Sequence, residues 1–331
     1  MTTLRIGTRA SALALAQSGQ LGAAVARHLG AEVELVHVST YGDLDRTSPL
    51  AEIGGTGVFV TAVRRALVAG EVDAIVHSAK DLPTLPADGI TIACMPARED
   101  MRDALCARDG LTLDTLPAGA RVGTGSPRRA AQLLRARPNL SVVSIRGNVD
   151  TRLARALGAD ADLDAVVLAA AGLRRLGRDD AVSELLDPGV MLPAPAQGAL
   201  ALECRTADAG SDLARAAAAE DDPATRAAVT AERALLRALE AGCSAPVGAL
   251  GQVADGRLTL LGLMIALDGQ RAYEDSLTVP LDLSADRETL TAIAADLGSR
   301  LAATLLDQGA ATVLGSTVLG STVGGSTGRG A

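Results

Sequence analysis

Basic charge in this sequence is carried almost without lysine: of 31 Lys and Arg residues only Lys80 is a lysine. Tryptophan is absent, and Phe59 is the single phenylalanine. A chain that uses arginine nearly everywhere points to coding bias. A lysine that survives such bias is a candidate for chemistry of its own, because Lys is a compact point charge and Arg a rigid planar fork. No run approaches the roughly 18 apolar residues of a membrane span, which argues against a membrane protein. Met1–Ser11 reads as strand and turn rather than as a basic-plus-apolar leader, so a cytoplasmic location is expected. The formal charge is −8 and no basic stripe offsets it, which argues against nucleic-acid binding. His28, His37 and His77 are scattered. Cys94, Cys106, Cys204 and Cys243 match neither a zinc spacing nor a CxxC pair, so no metal is expected.

What is present is an alternation of strands and helices. Leu4–Thr8 reads as a strand, Ser11 as the cap of a helix to Leu29, Glu32–Ser39 as a strand and Phe59–Ala69 as a helix. Asp73–Ser78 is a compact apolar strand. A second unit places strands at Arg121–Thr124, Ser141–Ile145 and Ala165–Ala169. Its helices start at Ser126-Pro127 and span Val149–Leu157. This βαβα order implies parallel sheets covered by helices, and Leu200–Cys204 reads as a strand that returns to the first unit. The last third changes character: a helix Pro223–Glu240 opened by Asp222 and closed by Gly242, three strands between Val247 and Val279, and a helix capped by Ser284. The expected fold is α/β, with two lobes each holding a parallel or mixed sheet, plus a small C-terminal α+β domain. The expected divisions are 1–95 with 194–216, then 96–193, then 217–310. Residues 311–331, with their VLGST repeats, are expected to be a disordered tail.

Several arginines fall just after strands. Arg9 follows the first strand, Arg128 and Arg129 lie in a first helical turn, Arg146 and Arg152 flank a strand-to-helix turn, and Arg174-Arg175 follow Ala165–Ala169. The carboxyl ends of strands in such sheets form the ligand crevice. Arginine at a helix start opposes the helix dipole unless an anion is resident there. A polyanion gripped by forked arginine contacts is the inferred ligand. Gly54–Gly57 and Gly123–Gly125 lack the remainder of a phosphate-loop or dinucleotide pattern, so nucleotide binding is not supported.

Lys80 adjoins Asp81 in His77–Pro83, directly after a strand. An acid in an arginine-lined cleft would repel carboxylates, so its expected task is to stabilise a transient cation or to handle a proton. Cys243 sits between Gly242 and Ser244 in a turn after a helix, a position suited to covalent chemistry. The other three cysteines lie in apolar, strand-like runs.

Eight strings, IGTRASALALAQ (Ile6–Gln17), GGTGVFV (Gly54–Val60), HSAKDLP (His77–Pro83), VGTGSPRRAAQL (Val122–Leu133), RGNVDTRL (Arg146–Leu153), AAGLRRLG (Ala170–Gly177), PAPAQGALALECR (Pro193–Arg205) and EAGCSAPVGA (Glu240–Ala249), run in order along the chain. Together they resemble the hydroxymethylbilane synthase (porphobilinogen deaminase) family over about residues 4 to 308. The resemblance implies two lobes like those of periplasmic binding proteins, and a dipyrromethane cofactor held by Cys243 through a thioether. It implies that four porphobilinogen molecules are deaminated and condensed in turn onto that primer, after which hydrolysis releases hydroxymethylbilane. Asp81 corresponds to the catalytic acid. Cofactor contacts are implied for Lys80, Asp81, Ser126, Arg128, Arg129 and Arg146. Substrate contacts are implied for Arg9, Ser11, Phe59, Arg146, Arg152, Arg175 and Gln197. Phe59 and Tyr41–Gly57 resemble a cleft lid. A monomer is implied, with its product passed to uroporphyrinogen-III synthase. The chain departs from the family's usual GTSSLRR at Gly125 and Pro127, and has Thr56 where a lid lysine is usual. The main rival, a non-catalytic bilobal binder of a small polyacid, gives no role to Asp81 or Cys243. The effector lobe of a transcription regulator would need a helix-turn-helix and a basic face, which the sequence lacks.

Overall fold

The computed structural model describes residues 2–38, 57–240 and 245–314. The chain begins with β1 (Thr2–Thr8), α1 (Ala12–Leu29), β2 (Ala31–His37), α2 (Gly57–Val68), β3 (Ala74–Ser78) and β4 (Ile90–Cys94). It then enters a second unit with β5 (Asp103–Ala107), β6 (Arg121–Thr124), α3 (Pro127–Ala136), β7 (Ser141–Ser144), α4 (Val149–Leu157), β8 (Ala165–Ala169), α5 (Ala170–Arg175) and β9 (Glu184–Leu185). β10 (Leu200–Arg205) follows, then α6 (Asp212–Ala218) and α7 (Pro223–Ala238).

The first sheet has the order β2-β1-β3-β10-β4 and the second β7-β6-β8-β5-β9. In each, three parallel strands are extended by an antiparallel one: β10 runs against β3 and β4, and β5 against β8 and β9. Both sheets are therefore mixed, in keeping with the parallel or mixed sheet expected in each lobe. The chain passes from the first sheet to the second after β4 and comes back after β9, which is how β10 returns to the first unit as expected.

Local sequence sets the ends of these elements. Ser11 caps α1 by accepting from the Ala14 amide at 3.3 Å, and Gly30 ends it at φ 61°. Buried Leu21, Val25 and Ala26 on α1 pack with Leu4 and Ile6 of β1 and with Leu200 and Leu202 of β10. Each Leu or Val side chain so enclosed contributes roughly 1.5–3 kcal/mol.

The last unit is the antiparallel meander β11 (Val247–Ala254), β12 (Arg257–Ile265) and β13 (Ala272–Pro280), followed by α8 (Arg287–Asp307). α8 packs on α7, where a side chain at Gly298 would run into the Ala231 carbonyl. The cap of α8 is Asp286, whose carboxylate accepts from the Thr289 amide at 2.9 Å. Ser284, the expected cap, instead donates to Asp282 at 2.8 Å. Of the expected tail 311–331, only residues 311–314 are described. Ala311–Leu314 form one helical turn, α9, with Val313 only 2% exposed and Thr312 within 3.1 Å of the Tyr273 hydroxyl. The closing Gly242 of α7 and the rest of the repeats lie outside the described residues, and α7 itself ends at Ala238.

One buried acid ties the units together. Glu232 of α7 is fully buried and accepts from Arg98 Nη1 at 2.5 Å, from the Ala196 amide at 2.5 Å and from the Gly251 amide of β11 at 2.7 Å. Glu232→Gln removes the charge opposite the buried Arg98 guanidinium and is expected to lower stability by about 3–5 kcal/mol. Denaturant unfolding of the two proteins measures the difference.

Candidate functional site

The carboxyl end of β3 leads into a 3₁₀ turn, Ala79–Asp81. The turn is pinned on both sides of its acid. The Ala79 amide donates to the Ala199 carbonyl at 3.0 Å, and Ala79 and Leu82 are buried. Asp81 itself is exposed. Beneath it, Gln17 of α1 donates to the Ser78 hydroxyl at 2.9 Å. Lys80 is half-buried and donates to Gln197 Oε1 at 3.2 Å. Burial, helped by the Arg129 charge, pushes the Lys80 ammonium down to about 8.

Gln197 lies in the turn that carries the chain back to β10. Ala196 has φ 65° and Gly198 φ 88°, and a side chain at Gly198 would collide with the Glu99 carbonyl. The turn is held from every side. The Gln197 amide group donates to the Met101 carbonyl at 2.9 Å and to Asp103 at 2.7 Å, Arg98 Nε donates to the Gln197 carbonyl at 2.7 Å, and Arg175 donates to the Gly198 carbonyl at 2.6 Å.

Asp103, at the head of β5, is fully buried. It accepts from Arg128 Nη2 at 2.7 Å, and from Arg129 Nε at 3.0 Å and Nη2 at 2.7 Å. Burial by itself would raise the Asp103 carboxyl, but the two guanidiniums hold it well below the usual carboxylate range. Arg128 and Arg129 were expected to need a ligand as the resident anion at their helix start. The structure supplies an internal one. Ser126 caps α3 by accepting from the Arg129 amide at 3.4 Å, and Pro127 occupies its first turn. Gly125 has a local reason: a side chain there would approach the Ile145 carbonyl to 2.7 Å.

Asp103 does not use every donor. Arg128 Nε and Arg152 Nε are buried without a hydrogen-bond partner. Burial pushes Arg152 down, and the Arg129 and Arg146 charges push it further. Arg152 is half-buried on α4, and Arg146 is exposed in the turn before that helix. Arg9 is half-buried between β1 and α1, beside the capping Ser11. Phe59 lies in the first turn of α2, with its side chain outside the described residues. Cys243 and Tyr41–Thr56 also lie outside them. The structure thus brings Lys80, Arg128, Arg129 and Gln197 into one network and places Arg175 at its edge. Arg129, Arg146 and Arg152 form a neighbouring concentration of positive charge. These donors suit a group rich in carboxylates, and a dipyrromethane bearing acidic side chains fits them.

Reading the sequence did not find Asp103, Glu203 or Glu232. The signal available was an acid inside an otherwise apolar element: Asp103 opens a strand buried along its whole length, and Glu203 interrupts Leu200–Cys204. Glu203 takes Arg64 at 2.5 Å and lies 3.4 Å from His77. Burial would raise its carboxyl, yet His77 and Arg64 hold it down at about 2. The remaining cysteines are buried, and burial pushes the Cys94 and Cys106 thiols up to about 12. Among the described residues no cluster of His, Cys, Asp or Glu could hold a metal ion, and no helix is long and apolar enough to cross a membrane.

Two sheets of matching order, with Lys80, Arg129 and Arg175 bonded to a single returning turn, define an α/β protein with a cationic candidate site. Residues 4–212 match the model of the porphobilinogen deaminase dipyrromethane cofactor binding domain, and residues 226–307 match that of the porphobilinogen deaminase C-terminal domain. The porphobilinogen deaminase of Cutibacterium acnes is 54% identical over 95% of this chain and 97% of its own length. That of Leifsonia xyli is 54% identical over 93% of each chain, and that of Thermobifida fusca 51% identical over 93% and 95%. A solved arginine-specific periplasmic binding protein of Salmonella typhimurium is 15% identical over 66% of this chain and 92% of its own, with a TM-score of 0.37. The chain belongs to the porphobilinogen deaminase family: it is a transferase acting on porphobilinogen, with a dipyrromethane cofactor.

Asp103→Asn leaves two buried guanidiniums facing a neutral amide and is expected to lower stability by about 3–5 kcal/mol. Added succinate should recover part of that loss, and thermal unfolding with and without the dicarboxylate measures both effects.

Proposed function

We propose that Asp81 is the catalytic acid of this enzyme and that Cys243 anchors its cofactor, the observation carrying the reading being one exposed carboxylate fixed in a turn beside a cluster of partly unsatisfied cations. The chemistry the dipyrromethane supplies when bound is a covalently held pyrrole chain end that acts as the nucleophile for elongation.

The chain's own residues do the rest. Lys80, Ser126, Arg128, Arg129 and Arg146 hold the acidic side chains of the cofactor. Arg9, Ser11, Arg146, Arg152, Arg175 and Gln197, together with Phe59, hold those of the incoming porphobilinogen. Charge-assisted contacts of this kind contribute roughly 1.5–3 kcal/mol each, so a substrate with two carboxylates is positioned as well as bound. Asp81 then serves the step in which ammonia leaves. Its carboxylate sets a negative charge beside the pyrrole as that ring becomes cationic, and can carry the proton that departs when the new carbon–carbon bond has formed. Four rounds followed by hydrolysis release hydroxymethylbilane, which passes to uroporphyrinogen-III synthase.

Cys243 is the anchor best suited to this scheme. Cys94, Cys106 and Cys204 are buried in strands, and burial pushes all three thiols up, which suppresses the nucleophilic thiolate. Residues 1–95 with 194–216, 96–193 and 217–310 are the proposed domains. The enzyme is proposed to act as a cytoplasmic monomer. A non-catalytic polyacid binder would leave Asp81 without a task.

The denatured intact mass of the purified protein should exceed the sequence mass by one covalent dipyrrole, and Cys243→Ala should lose that excess. Retention of the excess in Cys243→Ala would move the anchor elsewhere. Asp81→Ala should keep the added mass while turnover collapses, and near-normal turnover would remove Asp81 from the chemistry.

Lys80 makes the hold on the cofactor's acidic side chains depend on pH. Its ammonium, held down at about 8, is charged below that pH and loses its charge as the pH rises through it. The gain in Tm of the holoenzyme over the cofactor-free protein should therefore shrink above about pH 8. In Lys80→Arg, whose guanidinium stays charged, that shrinkage should disappear from the Tm profile.

A further inference from the structure

Arg233 of α7 is assigned to none of these contacts, yet its guanidinium reaches the turn that carries Asp81. Nη1 donates to the Ala79 carbonyl at 3.3 Å and to the Leu82 carbonyl at 3.0 Å, and Nη2 donates to the Pro83 carbonyl at 2.6 Å. The three acceptors bracket Asp81 on both sides. Upstream, the turn has independent supports: the Ala79 amide bonds to the Ala199 carbonyl at 3.0 Å, and Lys80 bonds to Gln197 at 3.2 Å. Downstream, the Leu82 amide makes a 3.3 Å bond back to the Ala79 carbonyl within the turn itself. Pro83 has no amide hydrogen to give. The Leu82 and Pro83 carbonyls both take their hydrogen bonds from the Arg233 fork. A lysine could not hold these carbonyls in the same plane, because it lacks the fixed geometry of the guanidinium.

The helix that carries Arg233 is itself immobilised at the adjacent residue. Glu232 is bonded to Arg98, to the Ala196 amide at the start of the Gln197 turn, and to the Gly251 amide of β11. Successive residues of α7 therefore hold the two turns that meet through Ala79 and Ala199. Cys243 follows α7 in sequence, five residues beyond Ala238.

We propose that Arg233 is a positioning residue for the reaction. It fixes the backbone on both sides of Asp81 and thereby sets that carboxylate relative to the helix leading to the cofactor cysteine. This rests on the reading of Asp81 given above. Arg233 does not touch the reacting atoms. Its effect is on the placement of the acid, and a misplacement of about 1 Å suffices to slow a reaction by orders of magnitude.

The test compares the holoenzyme with Arg233→Met, Arg233→Lys and Asp81→Ala. Arg233→Met should keep the covalent dipyrrole in its intact mass, keep KM within about threefold, and lose kcat by roughly 10- to 100-fold. Its backbone amides from Lys80 to Leu82 should exchange hydrogen faster, and Arg233→Lys should recover part of kcat. A purely structural arginine would instead lower Tm and leave kcat per folded molecule unchanged, and that result overturns the proposal. If the methionine variant does not fold, the lysine variant decides: kcat reduced at constant KM supports the proposal, and unchanged kcat overturns it. Asp81→Ala separates the two readings. Retained turnover there defeats the assignment of Asp81, whereas a dead Asp81→Ala beside a normal Arg233→Met defeats Arg233 alone.

Discussion

A buried guanidinium is tolerable only when a carboxylate is buried with it, and in this arginine-rich chain that constraint organises the interior. Asp103 answers Arg128 and Arg129, Glu232 answers Arg98, and Glu203 answers Arg64. Each of the three acids is all but removed from solvent. Two of them also grip the same short stretch of chain: Asp103 through the Gln197 side chain, and Glu232 through the Ala196 amide. The turn before β10 is consequently not a loose connection. It is the point at which both sheets and the C-terminal unit are fastened to one another, and Lys80 and Asp81 are built against it.

The same pairing shapes the electrostatics of the ligand site. With Asp103 in place, Arg128 and Arg129 are held in fixed geometry before any ligand arrives, so their orientation is not left for the ligand to impose. What the pairing leaves over is the Nε groups of Arg128 and Arg152, which are buried without a hydrogen-bond partner.

Much of this was legible in the sequence because its signals are local. The Ser11 cap, the Ser126-Pro127 helix start, the limits of Val149–Leu157 and Ala165–Ala169, and the three-strand meander all follow from residues within a few positions of one another. The strand Leu200–Cys204 was legible as a returning element, but its direction was not, since an apolar run looks the same in a parallel and an antiparallel ladder. Asp286 rather than Ser284 caps the last helix because two acceptors lie within one turn and only the fold chooses between them. The site's cations and its acid were legible as residue types at strand ends. Their counter-ions were not. The bond between Asp103 and Arg129 spans 26 positions and that between Arg98 and Glu232 spans 134, and no periodicity records such a partnership. Arg233 was hidden for a related reason: its partners are backbone carbonyls, which carry no sequence signature at all.

The place of β10 in the first sheet also sets an order of events during synthesis. β4 is joined to that sheet through β10, which lies between it and β3. The strand that completes the sheet is separated from β4 by about a hundred residues, and closing so long a span before its contacts can form is slow. While the ribosome is still making the second unit, the first can assemble only β1, β2 and β3, leaving the flank of β3 bare and β4 without its neighbour. An unpaired strand edge of that kind is where a nascent chain is most exposed to wrong partners. The Ala79–Asp81 turn, which hangs from the end of β3 and leans on Ala199, is therefore among the last parts of the first lobe to take shape.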